Sequence, residues 1–256
     1  MQDVDDALRE GHYAKKQIFC RSRLISWSHS RRFDTGVRLA ARFAGKKLLD
    51  YGCGDGTFLT MLMASRSAPL SAVGAELTPD LVRDCSERLG NDRLRFVLTS
   101  ELHGEQHRGA YDAVVCMEVL EHVIDDGPML DLFDSLLAPG GELLISVPVE
   151  TGIPVLVKQS ARRLASWRRI ADYSGMQPYT MGELVRTVFA GSRQQIVRSP
   201  HTDENGFESY DHKGFNWMAL REKLKERFEV LQVLASPLPW LTPHLGSQAW
   251  FIARKR

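Results

Sequence analysis

Two groups of residues in this chain have types and spacing suited to chemistry. The first is Leu48-Leu49-Asp50-Tyr51-Gly52-Cys53-Gly54-Asp55-Gly56-Thr57, where an apolar run ends in an acid and three glycines then alternate with other residues. Glycine has no side chain in the way and tolerates positive φ, so such a turn lets a ligand press against bare backbone. A dinucleotide-binding turn would set its third glycine one position later and would rarely put an acid before the first. Asp50 and Asp55 flank the loop, which disfavours a pyrophosphate and suits a ligand with a cationic amino group. Glu76 closes the next apolar run, 20 residues past Gly56, where an acid in a doubly wound fold accepts both hydroxyls of a ribose. S-adenosylmethionine fits this set better than NAD. Asp50 and the turn through Gly52, Cys53, Gly54 and Gly56 are expected to hold the methionyl end, and Glu76 with Leu77 the ribose. Glu101, after the third strand, is expected to accept from the adenine amino group, and Met117 to border the cofactor.

The second group is Met117-Glu118-Val119-Leu120-Glu121-His122. It leaves the carboxyl end of the fourth predicted strand, at the mouth where open α/β sheets bind ligands. With a helix starting near Glu118, Glu121 and His122 fall at i+3 and i+4 and share a face with it. Two carboxylates and an imidazole converging there can hold a divalent cation; they can equally cap the helix and pack beneath the cofactor with no metal. Downstream, Tyr210-Asp211-His212-Lys213-Gly214-Phe215-Asn216-Trp217 opens another predicted helix that the topology returns to the same rim. His212 is therefore either a further ligand or a helix-start residue with a structural hydrogen bond.

The elements that must position these groups follow from periodicity. From 47 to about 148, short apolar runs alternate with helical patterns at βαβ spacing, the mark of a mostly parallel sheet. Strands are predicted at 47–51, 71–76, 94–99, 111–116 and 142–147, and helices near 57–66, 79–89 and 120–137, with Gly140-Gly141 turning into the fifth strand. Phe33, Val37, Ala40 and Ala44 share one face of a helix that Gly45 can end. Residues 1–44 thus read as a helical cap on a domain spanning 45–256. Between the fifth strand and the last helix, about 149–211 form an insertion, with helices near 154–172 and 181–190 and a polar loop at 199–206. A connection this long is usually a lid or a binding loop. A helix near 217–228 and strands at 229–234 and 248–253 complete the chain.

The ordered segments Leu49-Asp50-Tyr51-Gly52-Cys53-Gly54-Asp55-Gly56, Glu76, Tyr111-Asp112-Ala113-Val114-Val115-Cys116 and Leu137-Ala138-Pro139-Gly140-Gly141 resemble the motifs of class I S-adenosylmethionine-dependent methyltransferases. That resemblance implies a Rossmann-like α/β fold with a mostly parallel seven-stranded sheet and an antiparallel last strand. Glu118-x-x-Glu121-His122 together with the Asp211-His212-Lys213 segment is similar to the metal-dependent small-RNA 3′-terminal ribose 2′-O-methyltransferases. By that resemblance Glu118, Glu121, His122 and His212 are metal ligands, with Mn²⁺ preferred over Mg²⁺ for a site holding two imidazoles. Gly214 departs from that pattern by separating Lys213 from Phe215. The ubiquinone-biosynthesis O-methyltransferases share the Glu-Val-Leu-Glu-His segment and place a lipid-touching insertion after the fifth strand. Here 154–172 can form a basic amphipathic helix, with Leu156, Leu164, Trp167 and Ile170 on one side, suited to peripheral membrane contact or to serving as a solvated lid.

Composition narrows the rest. A formal charge of +1 gives no global basic field for nucleic acid. Cys20, Cys53, Cys85 and Cys116 lack metal-site spacing and read as reduced thiols. The acidic start lacks signal-peptide character, and no apolar run reaches membrane-spanning length, so a cytoplasmic protein, open to peripheral membrane contact, is expected. Methyl transfer from a sulfonium is an in-line displacement, in which the protein positions the acceptor and removes its proton. His122 or His212 is the expected base when no metal assists, with His201 a weaker candidate. The preferred acceptor is a hydroxyl, ideally one of a vicinal pair, on a small-molecule, glycan or lipid-linked substrate. RNA 3′-end ribose methylation and a non-catalytic cofactor-binding or scaffold role are the competing readings.

Overall fold

The apolar runs at the carboxyl side of each βαβ unit converge into one sheet. In the computed structural model, which describes residues 8–20, 23–167, 179–194, 196, 198, 200–202 and 208–256, seven strands form it in the order β3-β2-β1-β4-β5-β9-β8. These are β1 (Lys47–Tyr51), β2 (Ser71–Glu76), β3 (Leu94–Leu98), β4 (Tyr111–Met117), β5 (Leu137–Pro148), β8 (Phe228–Ser236) and β9 (Gln248–Lys255). The first five pair in parallel, and β9 runs antiparallel to both β5 and β8. The chain order reverses between β1 and β4, so their carboxyl ends open a crevice at the switch point. The glycine turn leaves β1 there, and the Glu118–His122 segment leaves β4 beside it.

Apolar residues on the two faces of the central strands bury two cores. Leu49, Val114, Leu143 and Ile145 pack with α5 (Asp126–Leu136) and α8 (Trp217–Arg227) on one side. On the other, Leu48, Val115 and Leu144 pack with Phe58 and Leu62 of α3 (Thr57–Met63). Phe33 and Ala40 of α2 (Arg23–Ala40), and Phe43 just after it, belong to this second core, so the N-terminal cap shares the interior of the domain behind it. Gly45 takes a φ of +70° at the end of that helical segment.

Three elements differ from expectation. The helix expected over 120–137 is confined to α5, because Asp125 accepts from the Gly127 amide as its N-cap. Glu118, Glu121 and His122 therefore lie on an irregular turn, not on a helix face, and Glu118 has a φ of +57°. The Pro139-Gly140-Gly141 turn lies inside β5: pairing jumps from Tyr111↔Leu137 to Ala113↔Glu142, with Gly140 at φ +72° looping out the extra residues. Within the region read as a polar loop, β6 (Pro200–Thr202) is a strand that pairs antiparallel with β7 (Glu208–Tyr210) just beyond it.

The insertion contributes α6 (Ile153–Trp167) and α7 (Met181–Val188). Residues 168–172 of the expected amphipathic helix, including Ile170, lie outside the described residues. Thr180 and Glu183 form a capping box that starts α7. Lys158 fastens α6 to the sheet, donating to the carbonyls of Val149 and Ser247 and to buried Glu150. Among the described residues, no helix is long and apolar enough to cross a membrane. Cys53, Cys85 and Cys116 are buried free thiols, and Cys20 is a half-buried one.

Candidate functional site

At the β1 end, the glycine turn is tight because the molecule crowds it. Gly52, Gly54 and Gly56 have φ values of +72°, +58° and +76°. A Cβ on Gly52 would sit 2.4 Å from Val119 Cγ2, and one on Gly56 2.5 Å from Leu89 Cδ1. The Gly52 and Cys53 amides donate to the Ala75 carbonyl at 2.8 and 3.1 Å, joining the turn to β2. Glu76, at the end of β2, accepts from the Gly54 amide at 2.8 Å and from the Leu77 amide at 2.7 Å. A carboxylate has about four lone-pair sites, so acceptor capacity remains for ligand hydroxyls. Asp50 is 2% exposed. Burial, reinforced by nearby Glu76, pushes its carboxyl up to about 8, so it awaits a cationic partner.

Asp55 has a different task from the one its place in the loop suggested. One oxygen accepts from the Thr57 amide and hydroxyl at 3.1 and 2.6 Å, starting α3. The other accepts from the Tyr13 and Ala14 amides at 2.8 and 2.9 Å, in the short helix α1 (His12–Gln17). The Tyr13 ring rests against Gly54, 3.3 Å from where a Cβ would stand. The N-terminal cap therefore roofs the glycine turn.

A cavity of about 710 Å³ runs from this turn to the β4 rim. Asp50, Gly52, Cys53, Gly54, Glu76, Leu77 and Met117 line it. Gly56 and Glu101 are not among its lining residues. Gly56 packs behind the turn. The Glu101 carboxylate accepts from the Leu98 amide at 2.8 Å and closes its own 3-10 turn, while Thr99 reaches the cavity. The roof adds His29, Arg32 and Phe33. The i, i+3, i+4 spacing of His29, Arg32 and Phe33 was the available signal. Burial, aided by Arg32, lowers the His29 imidazole to about 4.

At the opposite end, the expected four-ligand set is only partly assembled. Glu118 Oε1 accepts from the Ser146 hydroxyl at 3.0 Å, and Oε2 lies 3.6 Å from the Arg32 guanidinium, which turns this carboxylate toward β5 and the roof. Glu121, His122 and His212 do converge, with ligand atoms all within 4.8 Å of one another. The two imidazoles meet edge to face, with centroids 4.8 Å apart. Nδ1 of His122 lies 2.8 Å from the Tyr210 carbonyl and must carry a proton, so the neutral ring presents its lone pair at Nε2. That Nε2 is 3.9 Å from Glu121 Oε1. Both Glu121 oxygens are buried without a hydrogen-bond partner. Burial, with Glu118 adding to it, holds this carboxyl well above the usual carboxylate range. Burial and neighbouring His122 lower His212 to about 4, so it is neutral at physiological pH.

A family model described as a methyltransferase domain matches residues 25–188. The chain is similar to the ubiquinone biosynthesis O-methyltransferase of Cronobacter sakazakii, 39% identical over 103 residues, and to that of Psychrobacter arcticus, 35% identical over 125 residues. The matches cover 40% and 48% of this chain and 42% and 46% of those relatives, so the chain spans less than half of their length. Among solved structures, its fold is similar to that of the N-methyltransferase NodS from Bradyrhizobium japonicum bound to S-adenosyl-l-homocysteine. The TM-score is 0.56 at 13% identity, over 99% of this chain and 97% of that one. An S-adenosylmethionine-dependent methyltransferase from Mesorhizobium loti matches with a TM-score of 0.51 at 12% identity, over 87% of this chain and all of that one.

Proposed function

This chain belongs to the methyltransferase-domain family, and from that premise we propose that it moves a methyl group from S-adenosylmethionine to a hydroxyl held beside a divalent cation. One observation carries the cation: the Glu121 carboxylate, buried with both oxygens unpartnered, faces two imidazoles at the far end of the cavity that begins at the glycine turn. A buried, unpaired carboxyl is costly. Neutral imidazoles with free lone pairs are the form that binds metal, and the backbone carbonyl on His122 Nδ1 is the outer contact such ligands commonly make. The donor set fits a Mn²⁺-like ion better than Mg²⁺.

Each residue then has a role. Asp50 receives the ammonium of the cofactor, the Gly52–Gly54 backbone accommodates its methionyl end, and Glu76 accepts from the ribose hydroxyls. Glu121, His122 and His212 hold the cation, which when bound lowers the pKa of the acceptor hydroxyl. His212, at about 4, is too weak a base to take an alcohol proton unaided, which favours metal assistance over general-base catalysis by this residue. Glu118 is held by Ser146 and Arg32 at the cavity wall, facing the space between the two ends.

The acceptor class proposed is a small or lipid-linked phenol or diol. Support comes from the O-methyltransferase names of the relatives and from an exposed apolar surface: Ile153, Val157, Met181, Val185, Phe189 and Trp240 are all exposed. Ile153 and Val157 lie on α6, Met181 and Val185 on α7, Phe189 just after it and Trp240 in the β8–β9 connection, and α6 packs against α7 and against Pro243–Leu245 of that connection. Such a surface suits peripheral contact with a membrane. A methyl-transfer screen over catechol, isolated phenol, amine and 3′-terminal RNA acceptors, with and without chelator, tests the proposal. Chelator-sensitive methylation of the vicinal diol is expected. Transfer that ignores chelator, or that prefers an amine, would sink it.

A further inference from the structure

Arg198 precedes β6 and is not among the residues that line the cavity. Its guanidinium donates to the carbonyls of Glu121, of Asp211 at 2.5 Å and of Lys213 at 3.2 Å. It lies over the Tyr210 ring, 4.2 Å from the centroid, with Phe215 at 5.4 Å. Asp211 and Lys213 flank His212 in the chain, and Glu121 precedes His122. One cation therefore ties the backbone on both sides of His212 to the backbone of Glu121. Tyr210 closes the same frame, donating its amide to the His122 carbonyl at 3.0 Å and offering its own carbonyl to His122 Nδ1. The chain also makes room for this contact. Gly214 has a φ of +77°, and a Cβ there would come within 2.9 Å of Ile196 Cγ2 and 3.3 Å of Arg198 Cγ. That glycine, which breaks the expected Lys-aromatic spacing, is what lets the segment carrying Arg198 close on its neighbour.

We propose that Arg198 is a positioning residue that sets the separation of Glu121, His122 and His212 by holding the backbones that carry them. The inference rests on reading those three side chains as the acceptor end of the site. Lysine cannot replace it, because an ammonium lacks the planar fork that reaches several carbonyls and stacks on the Tyr210 ring.

The test compares wild type, Arg198→Lys and Arg198→Met as full chains with S-adenosylhomocysteine bound. Imidazole ¹⁵N spectra report the His122 tautomer, and Mn²⁺ titration reports the ligand set. Wild type should show His122 protonated at Nδ1 alone. Both variants should show mixed tautomers and Mn²⁺ binding weakened by about tenfold or more, with S-adenosylhomocysteine affinity within about twofold of wild type as the check on folding. Variants that keep both the tautomer and the Mn²⁺ affinity overturn the proposal. If wild type binds no Mn²⁺, or if Glu121→Gln leaves its binding intact, the cation reading fails and the tautomer spectra alone decide the role of Arg198. If Arg198→Met does not fold, Arg198→Lys decides.

Discussion

Binding of S-adenosylhomocysteine at pH 7 should release a proton from Asp50. This carboxyl is 2% exposed and raised to about 8, chiefly by burial and then by Glu76, so at pH 7 it is about nine-tenths protonated. An ammonium set against it favours the charged form and lowers its pKa by about 1–3 units. The occupied fraction then falls to between about one half and one hundredth, so about 0.4–0.9 proton leaves on binding. Calorimetry at pH 7 in two buffers of different ionisation enthalpy counts that proton directly. Asp50→Asn should abolish the release and weaken binding by roughly 10–150-fold, the value of a hydrogen bond to a charged group. The same group gives stability a pH dependence of known sign. In the unfolded chain Asp50 loses its proton near pH 4, whereas in the fold it keeps it to about 8. The unfolded state binds fewer protons across that window, so the Asp50 contribution is full below about pH 4 and is lost as pH rises toward 8. A wild-type binding enthalpy independent of buffer, or a release that survives in Asp50→Asn, would refute the assignment of Asp50 to the ammonium.

Three further outcomes are expected. Gly52→Ala combines a left-handed backbone with a Cβ only 2.4 Å from Val119 Cγ2, and should lower unfolding free energy by about 2–4 kcal/mol in urea melts; adding Val119→Ala should recover the steric part only. Glu76→Ala should weaken S-adenosylhomocysteine binding by roughly tenfold or more, and an unchanged Kd by calorimetry removes the ribose assignment. Asp55→Ala frees the Tyr13 and Ala14 amides and should speed tryptic cleavage after Lys15 and Lys16; equal protection in variant and wild type would show that another contact holds the roof.

The glycine turn and Glu76, to which the proposal gives the cofactor, are legible as a local arrangement because their signals are local. Gly52, Gly54 and Gly56 announce positive φ wherever they occur, and Glu76 ends its own strand in register with them. The β4 rim, to which the proposal gives the acceptor, is built by contacts that sequence spacing does not encode. Glu118 and Glu121 were placed on one helix face, but Asp125 caps α5 four residues after Glu121 and leaves both on a turn, where they point to different partners. Glu101 sits near the adenine end in sequence and yet spends its carboxylate on the Leu98 amide. His212 is legible because the topology returns its helix start to the β4 rim, whereas Arg198 carries no visible signal: an isolated arginine in a polar stretch reads as solvated until the fold brings three carbonyls to it.

Asp55 divides one carboxylate between the start of α3 and the first amides of α1. A ligand on the glycine turn would thus lie under α1, and on the proposed reading its exchange would require lifting Tyr13 from Gly54. On the proposed reading, turnover would then contain a mechanical step set at Tyr13, 37 residues before Asp50 in sequence. Two proteins with this acceptor rim but different roofs would choose the same acceptor and keep different time.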